Sequence, residues 1–170
     1  MNHNFFLNEF FIESPRTDSI FWLCDPGGEL CSYSTNEAQG VDRRCAVVHN
    51  NGRKAISFVP IDKNMLFRRA NGDFESLCDG MLYSKDTREL SFVELKEYHG
   101  GGYASEAKKQ LVSTLRLFLK SHNYQDYKNR RAFACNPVRP CFASSYREQI
   151  SEFWKEFHFR FLPQAVIVFK

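Results

Sequence analysis

The chain has 170 residues, 43% of them hydrophobic and 15% aromatic, which excludes a disordered tail and suits one packed domain spanning 1–170. No apolar run is long enough to cross a bilayer, and the start Met1-Asn2-His3-Asn4-Phe5-Phe6 lacks the basic residues and small-residue cleavage site of a signal peptide. No membrane and a cytoplasmic location are therefore expected. A formal net charge of +3 is too small to demand nucleic acid by itself, and six cysteines without a C-x-x-C pair read as reduced thiols.

The first elements are predominantly β, over about 20–60. Before them, Phe5-Phe6-Leu7 and Phe10-Phe11-Ile12 suit either a short aromatic helix or an edge strand, and the residues do not choose. Ile20–Cys24 reads as a strand, Asp25-Pro26-Gly27-Gly28 as a turn and Leu30–Ser34 as the returning strand. Cys45–His49 and Ala55–Val59 read as a second hairpin around Asn50-Asn51-Gly52.

The stretch from Cys78 to Lys96 carries the chemistry. Met81-Leu82-Tyr83 and Leu90 to Leu95 form two short strands around the polar turn Lys85-Asp86-Thr87-Arg88. A turn centred between Asp86 and Thr87 places Asp79 opposite Glu94, where facing Cβ atoms lie roughly 4.5–5.5 Å apart. Lys96 follows two residues on and shares the strand face of Glu94. Val93 and Leu95 take the other face, and Ser91 is expected on the side of the triad. Two carboxylates this close repel unless a cation lies between them, and a hard divalent cation is the simplest resident. Lys96 would hold an attacking water or a phosphate oxygen, which is an arrangement for metal-assisted phosphodiester hydrolysis.

Asp79, fourteen intervening residues and Glu94-Leu95-Lys96 resemble the PD-(D/E)XK nuclease superfamily, with Cys78 where the motif's name has Pro. The resemblance implies a restriction-endonuclease-like core, with Asp79, Glu94 and the Leu95 carbonyl holding Mg2+ (or Mn2+) and Lys96 activating water. It also implies a polar residue aimed at the site from the following helix. Gln110 is the matching position, with Lys108 and Lys109 as substitutes. Many members add an acidic residue upstream. Glu37 and Glu75 are the candidates here.

Beyond the hairpin, Tyr98-His99-Gly100-Gly101-Gly102 is a loop that would let backbone approach a phosphate. Tyr103–His122 is an amphipathic helix through Ala104, Ala107, Leu111, Leu115 and Phe118. Arg131–Cys135 follows as a parallel strand, Tyr146–Phe157 as a helix with Ile150, Phe153, Trp154 and Phe157 on one side, and Ala165–Phe169 as a covered terminal strand. The fold class expected is α/β: a mixed sheet with an antiparallel hairpin at the active site, flanked by helices. The pairs Arg43-Arg44, Arg53-Lys54, Arg68-Arg69, Lys108-Lys109 and Arg130-Arg131 would form a phosphate-facing patch only if the fold gathers them.

Three readings follow. The first is a magnesium-dependent endonuclease on DNA or RNA, with DNA favoured, acting as a homodimer or as a subunit in a prokaryotic defence or repair system. The second is an inactive protein of the same fold that binds nucleic acid or a protein partner. The third is an unrelated α/β structural or adaptor protein whose Glu94-Leu95-Lys96 is coincidental, with Glu94 and Lys96 then the exposed face of an edge strand carrying a weak salt bridge.

Overall fold

The structure is a computed structural model that describes residues 4–6, 13–37, 44–96, 102–138 and 146–170, except for the side chains of 44 and 45. The segment Phe10-Phe11-Ile12, the loop residues 98–101 and Arg43 lie outside the described residues.

Nine strands and two helices are described, and the strands divide between two mixed sheets. The first sheet has the order β2-β1-β3-β9, built from β1 (Ile20–Cys24), β2 (Tyr33–Thr35), β3 (Arg44–Asn50) and β9 (Val166–Phe169). β1 runs antiparallel to both β2 and β3, and β9 lies parallel to β3. The second sheet has the order β4-β5-β6-β7-β8, built from β4 (Ser57–Pro60), β5 (Gly80–Ser84), β6 (Glu89–Leu95), β7 (Asn129–Cys135) and β8 (Arg160–Leu162). Its first three strands are antiparallel and its last three parallel.

The helices α1 (Tyr103–Ser121) and α2 (Arg147–Phe157) join the parallel strands. The order β6-α1-β7-α2-β8 is the strand–helix alternation expected from the sequence. α1 starts after Gly102, whose φ of 84° is left-handed and easy only for glycine.

The molecule is therefore three layers deep. Phe21, Leu23, Val48, Ile167 and Phe169 of the first sheet meet Phe58, Leu82, Val93, Leu95 and Phe133 of the second. The second sheet's other face carries Met81, Leu90, Phe92, Ala132 and Phe161 against Ala107, Leu111, Leu115 and Phe118 of α1 and Phe153 and Phe157 of α2. Side chains alternate across a strand, so a strand apolar at every position belongs between two packed layers. All seven residues of β6 are buried.

Three expectations change. Ser57–Pro60 does not return against β3. It leaves the first sheet and pairs with β5, so the turn at 50–52 is a crossing between sheets. The terminal strand joins the first sheet rather than the strand–helix series. Ser91 shares its parity with Val93 and Leu95, so it points between the sheets, and Leu90 and Phe92 precede Glu94 on its own face. A short strand, Arg160–Leu162, also appears where no strand was expected. Its three residues carry too little pattern to be read, and parallel pairing with β7 defines it.

β6 is the central strand of its sheet and not an edge. The reading of Glu94 and Lys96 as an exposed edge face is therefore wrong: Glu94 is wholly buried.

Candidate functional site

The β5–β6 hairpin has the register that a turn at Asp86-Thr87 requires, with Gly80 opposite Val93 and Met81 opposite Phe92. One step further along the same count brings Asp79, just before β5, to Glu94. Gly80 itself leaves room for a neighbour, since a Cβ there would lie 2.4 Å from the Phe58 ring.

Asp79 is held on three sides. Its carbonyl accepts from the Ser32 hydroxyl and from the Ile61 N–H, both at 2.8 Å. Its carboxylate accepts from the Leu95 N–H at 2.5 Å, and the other carboxylate oxygen takes no hydrogen bond from the described residues. The segment leading to it is clamped by α1. The Gln110 amide donates to the Leu77 carbonyl at 3.1 Å, and the Cys78 N–H donates to the Thr114 hydroxyl at 2.8 Å.

Gln110 thus touches the backbone two residues before Asp79 rather than a carboxylate of the site. Lys108 and Lys109 pair with Glu152 and Glu106. Thr114 was not singled out by the sequence, because a threonine inside an amphipathic helix reads as filler. Thr114→Val would leave the buried Cys78 N–H without an acceptor and is expected to cost about 1–3 kcal/mol, read as a lower urea midpoint.

Glu94 meets Lys96 at 2.5 Å (Oε1 to Nζ), and apart from that contact neither of its carboxylate oxygens has a donor among the described residues. The Lys96 side chain is 32% exposed, while Glu94 is wholly buried and Asp79 nearly so. Burial is the main force on both acids. It pushes Asp79 up to about 7 against the pull of the Leu95 N–H, with the charges of Asp25 and Asp62 adding to the rise. It pushes Glu94 well above the usual carboxylate range, and the Asp79 charge adds to that. Burial alone would lower Lys96, but Glu94, Asp79 and Asp25 outweigh it and hold the ammonium charged.

Two carboxylates that sequence reasoning missed act here. Asp25 sits in the Pro-Gly-Gly turn after β1 and accepts from the Gly27 N–H at 2.9 Å, with Gly27 and Gly28 both left-handed. Asp62 follows β4, and burial raises it too. Both bear on Asp79: Asp62 through the pairing of β4 with β5, and Asp25 from the end of β1 in the other sheet. No local signal would have found them. The two residues considered for this role lie elsewhere: Glu75 accepts from Arg69 and Ser113, and exposed Glu37 bonds its N–H to Thr35.

The charges of Asp25 and Asp62 thus reach Asp79, and those of Glu94, Asp79 and Asp25 reach Lys96. The donor set fits a hard divalent ion: all oxygen, with Glu94 holding acceptor capacity that none of the described groups except Lys96 meets. Among the described residues, no group of three or more His, Cys, Asp or Glu side chains is gathered for a metal. An ion here would therefore rest on Asp79, Glu94, the Leu95 carbonyl and water, which magnesium accepts because it keeps much of its hydration.

Searches against protein-family models, curated proteins and solved structures give no match. The residues alone carry the functional reading.

The same burial has a pH signature. Below pH 4 Asp79 is protonated whether the chain is folded or unfolded, and its contribution to stability is whole. From about 4 to about 7 the unfolded chain releases the proton while the folded one keeps it, so stability falls as pH rises. Glu94 extends the fall to higher pH, and Lys96 stays charged throughout. In a chelating buffer the loss from Asp79 is expected to be on the order of 4 kcal/mol, measurable as unfolding midpoints across pH. A divalent cation at a hundred times its dissociation constant would restore about 2.7 kcal/mol near neutrality.

Proposed function

We propose that this protein is a metal-dependent nuclease that hydrolyses phosphodiester bonds in DNA or RNA, with a restriction-endonuclease-like core around its second sheet. The observation that supports the reading best is a carboxylate, Glu94, buried without donors among the described residues except for Lys96, next to a second buried carboxylate just before the facing strand. Apolar groups filling the same volume as such a buried pair are often as stable or more so, so the acids and Lys96 cost stability that a bound cation would explain.

Asp79, Glu94 and the Leu95 carbonyl would hold the ion. Magnesium or manganese, when bound, supplies Lewis-acid polarisation of a phosphoryl oxygen and a more acidic water. Lys96 remains protonated beside the two acids, so it serves as a charge that holds water or a phosphoryl oxygen rather than as a base. Asp25 and Asp62 strengthen the field for the cation. Gln110 and Thr114 fix the backbone that sets the height of Asp79.

A second reading has its own support. The Lys96–Glu94 contact and the Asp79–Leu95 hydrogen bond close the site on itself, as in a nuclease-like protein that only binds. Incubation with labelled DNA and RNA decides between them. Cleavage in magnesium or manganese that stops in chelator supports the first reading, and retention without cleavage supports the second.

A further inference from the structure

The opposite end of the second sheet holds a cleft of about 270 Å³ that does not belong to the site above. Glu89, at the start of β6, lines it, and five residues along the strand separate Glu89 from Glu94, roughly 17 Å. Of the five basic pairs in the sequence, Arg130-Arg131 is the one the cleft gathers, together with Lys128, Arg160 and Lys170. The lining has five cationic side chains and one carboxylate, Glu89.

That carboxylate is already engaged. Arg131 donates to Glu89 at 2.5 Å, and the Lys170 N–H approaches it at 3.4 Å. Lys128, Arg130, Arg160 and Lys170 form no ion pair with the described residues. Arg130 lies over the Tyr124 ring at 4.7 Å with its Nε buried and lacking an acceptor. Arg160 is close enough to Arg131 for its charge to disfavour a second one there. Trp154 is 46% exposed, unlike its neighbours Phe153 and Phe157 on the helix, and lines the same cleft.

Like charges crowded into a concavity, with an orphaned guanidinium N–H, favour an anion there. Guanidinium forks match the spacing of phosphate oxygens, and an exposed indole offers a face on which a base stacks. We propose that this cleft is a phosphate-binding site for a nucleotide phosphate, carried either by a small nucleotide or by a nucleic-acid backbone. The proposal does not depend on the nuclease reading, because none of the residues of that site lines the cleft.

The test uses the full chain in chelator, so that the acidic site holds no metal. Binding of a short fluorescein-labelled single-stranded oligonucleotide is followed by anisotropy, with inorganic phosphate, AMP and polyglutamate as competitors. Trp154 quenching is the second readout, and Trp154→Phe removes it. The exposed pair Lys128→Glu/Arg160→Glu is expected to weaken binding by at least about tenfold and to reduce its salt slope by one to two. Displacement by phosphate or AMP assigns a small nucleotide, and displacement only by unlabelled oligonucleotide assigns the backbone. Absence of binding, unchanged affinity in the folded double variant, or equal displacement by polyglutamate would overturn the proposal.

Discussion

Glu94→Gln and Lys96→Ala are each expected to reduce metal-dependent cleavage by on the order of 10²–10³-fold or more, the usual cost of removing one group that stabilises developing charge. Their effects on stability should point in opposite directions. Glu94→Gln replaces a wholly buried acid with a neutral amide of the same shape, and Lys96 can turn its charge to water. The metal-free protein should be at least as stable, and its loss of stability toward high pH should be shallower. Lys96→Ala leaves Glu94 buried with no donor. That variant should lose about 3–5 kcal/mol unless the carboxyl takes up a proton, so the deficit should shrink as pH falls. Cleavage assays paired with denaturation across pH read both effects. A structural salt bridge with no catalytic part would show the stability pattern without the loss of rate.

Arg131→Met is the second large effect, and it is read on stability. Arg131 reaches from β7 to the first sheet, donating to the Val168 carbonyl at 2.7 Å and to Glu89 at 2.5 Å. Its guanidinium also packs near the Phe133 and Phe169 rings, at 5.4 and 5.1 Å. Glu89 is 3% exposed, so methionine at 131 would strand a buried carboxylate and release one tie between the sheets. A loss of about 3–5 kcal/mol is expected, or roughly 10 °C in melting temperature. The double variant Glu89→Gln/Arg131→Met should recover much of it, since the cost lies in the unpaired charge. Additive losses in that cycle would contradict the account.

How far the sequence reaches differs by element. Ile20–Cys24, the Asp86-Thr87 hairpin and the long helix are legible because each carries a local signal: an apolar run beside a Gly-Gly turn, a polar turn between apolar strands, and a stripe at helical spacing. The hairpin register also placed Asp79 and Glu94 together, because pairing in a tight hairpin is simple counting. Which sheet a strand joins is not local. Asn50-Asn51-Gly52 reads as a hairpin turn, yet the chain continues into the second sheet, where Ile56 and Phe58 fill the layer between the sheets. Asp25 and Asp62 were missed for the same reason. The exposure of Trp154 was not legible, because helical spacing sets a face but not how much of that face the neighbouring layer covers.

The central claim is that Asp79 and Glu94 share a divalent cation, and a crystal soaked in manganese tests it most directly. The account predicts anomalous density between the two carboxylates, with the Leu95 carbonyl and water completing the shell and Lys96 displaced from Glu94. Manganese absent from that position, with the Lys96–Glu94 contact intact, would contradict it.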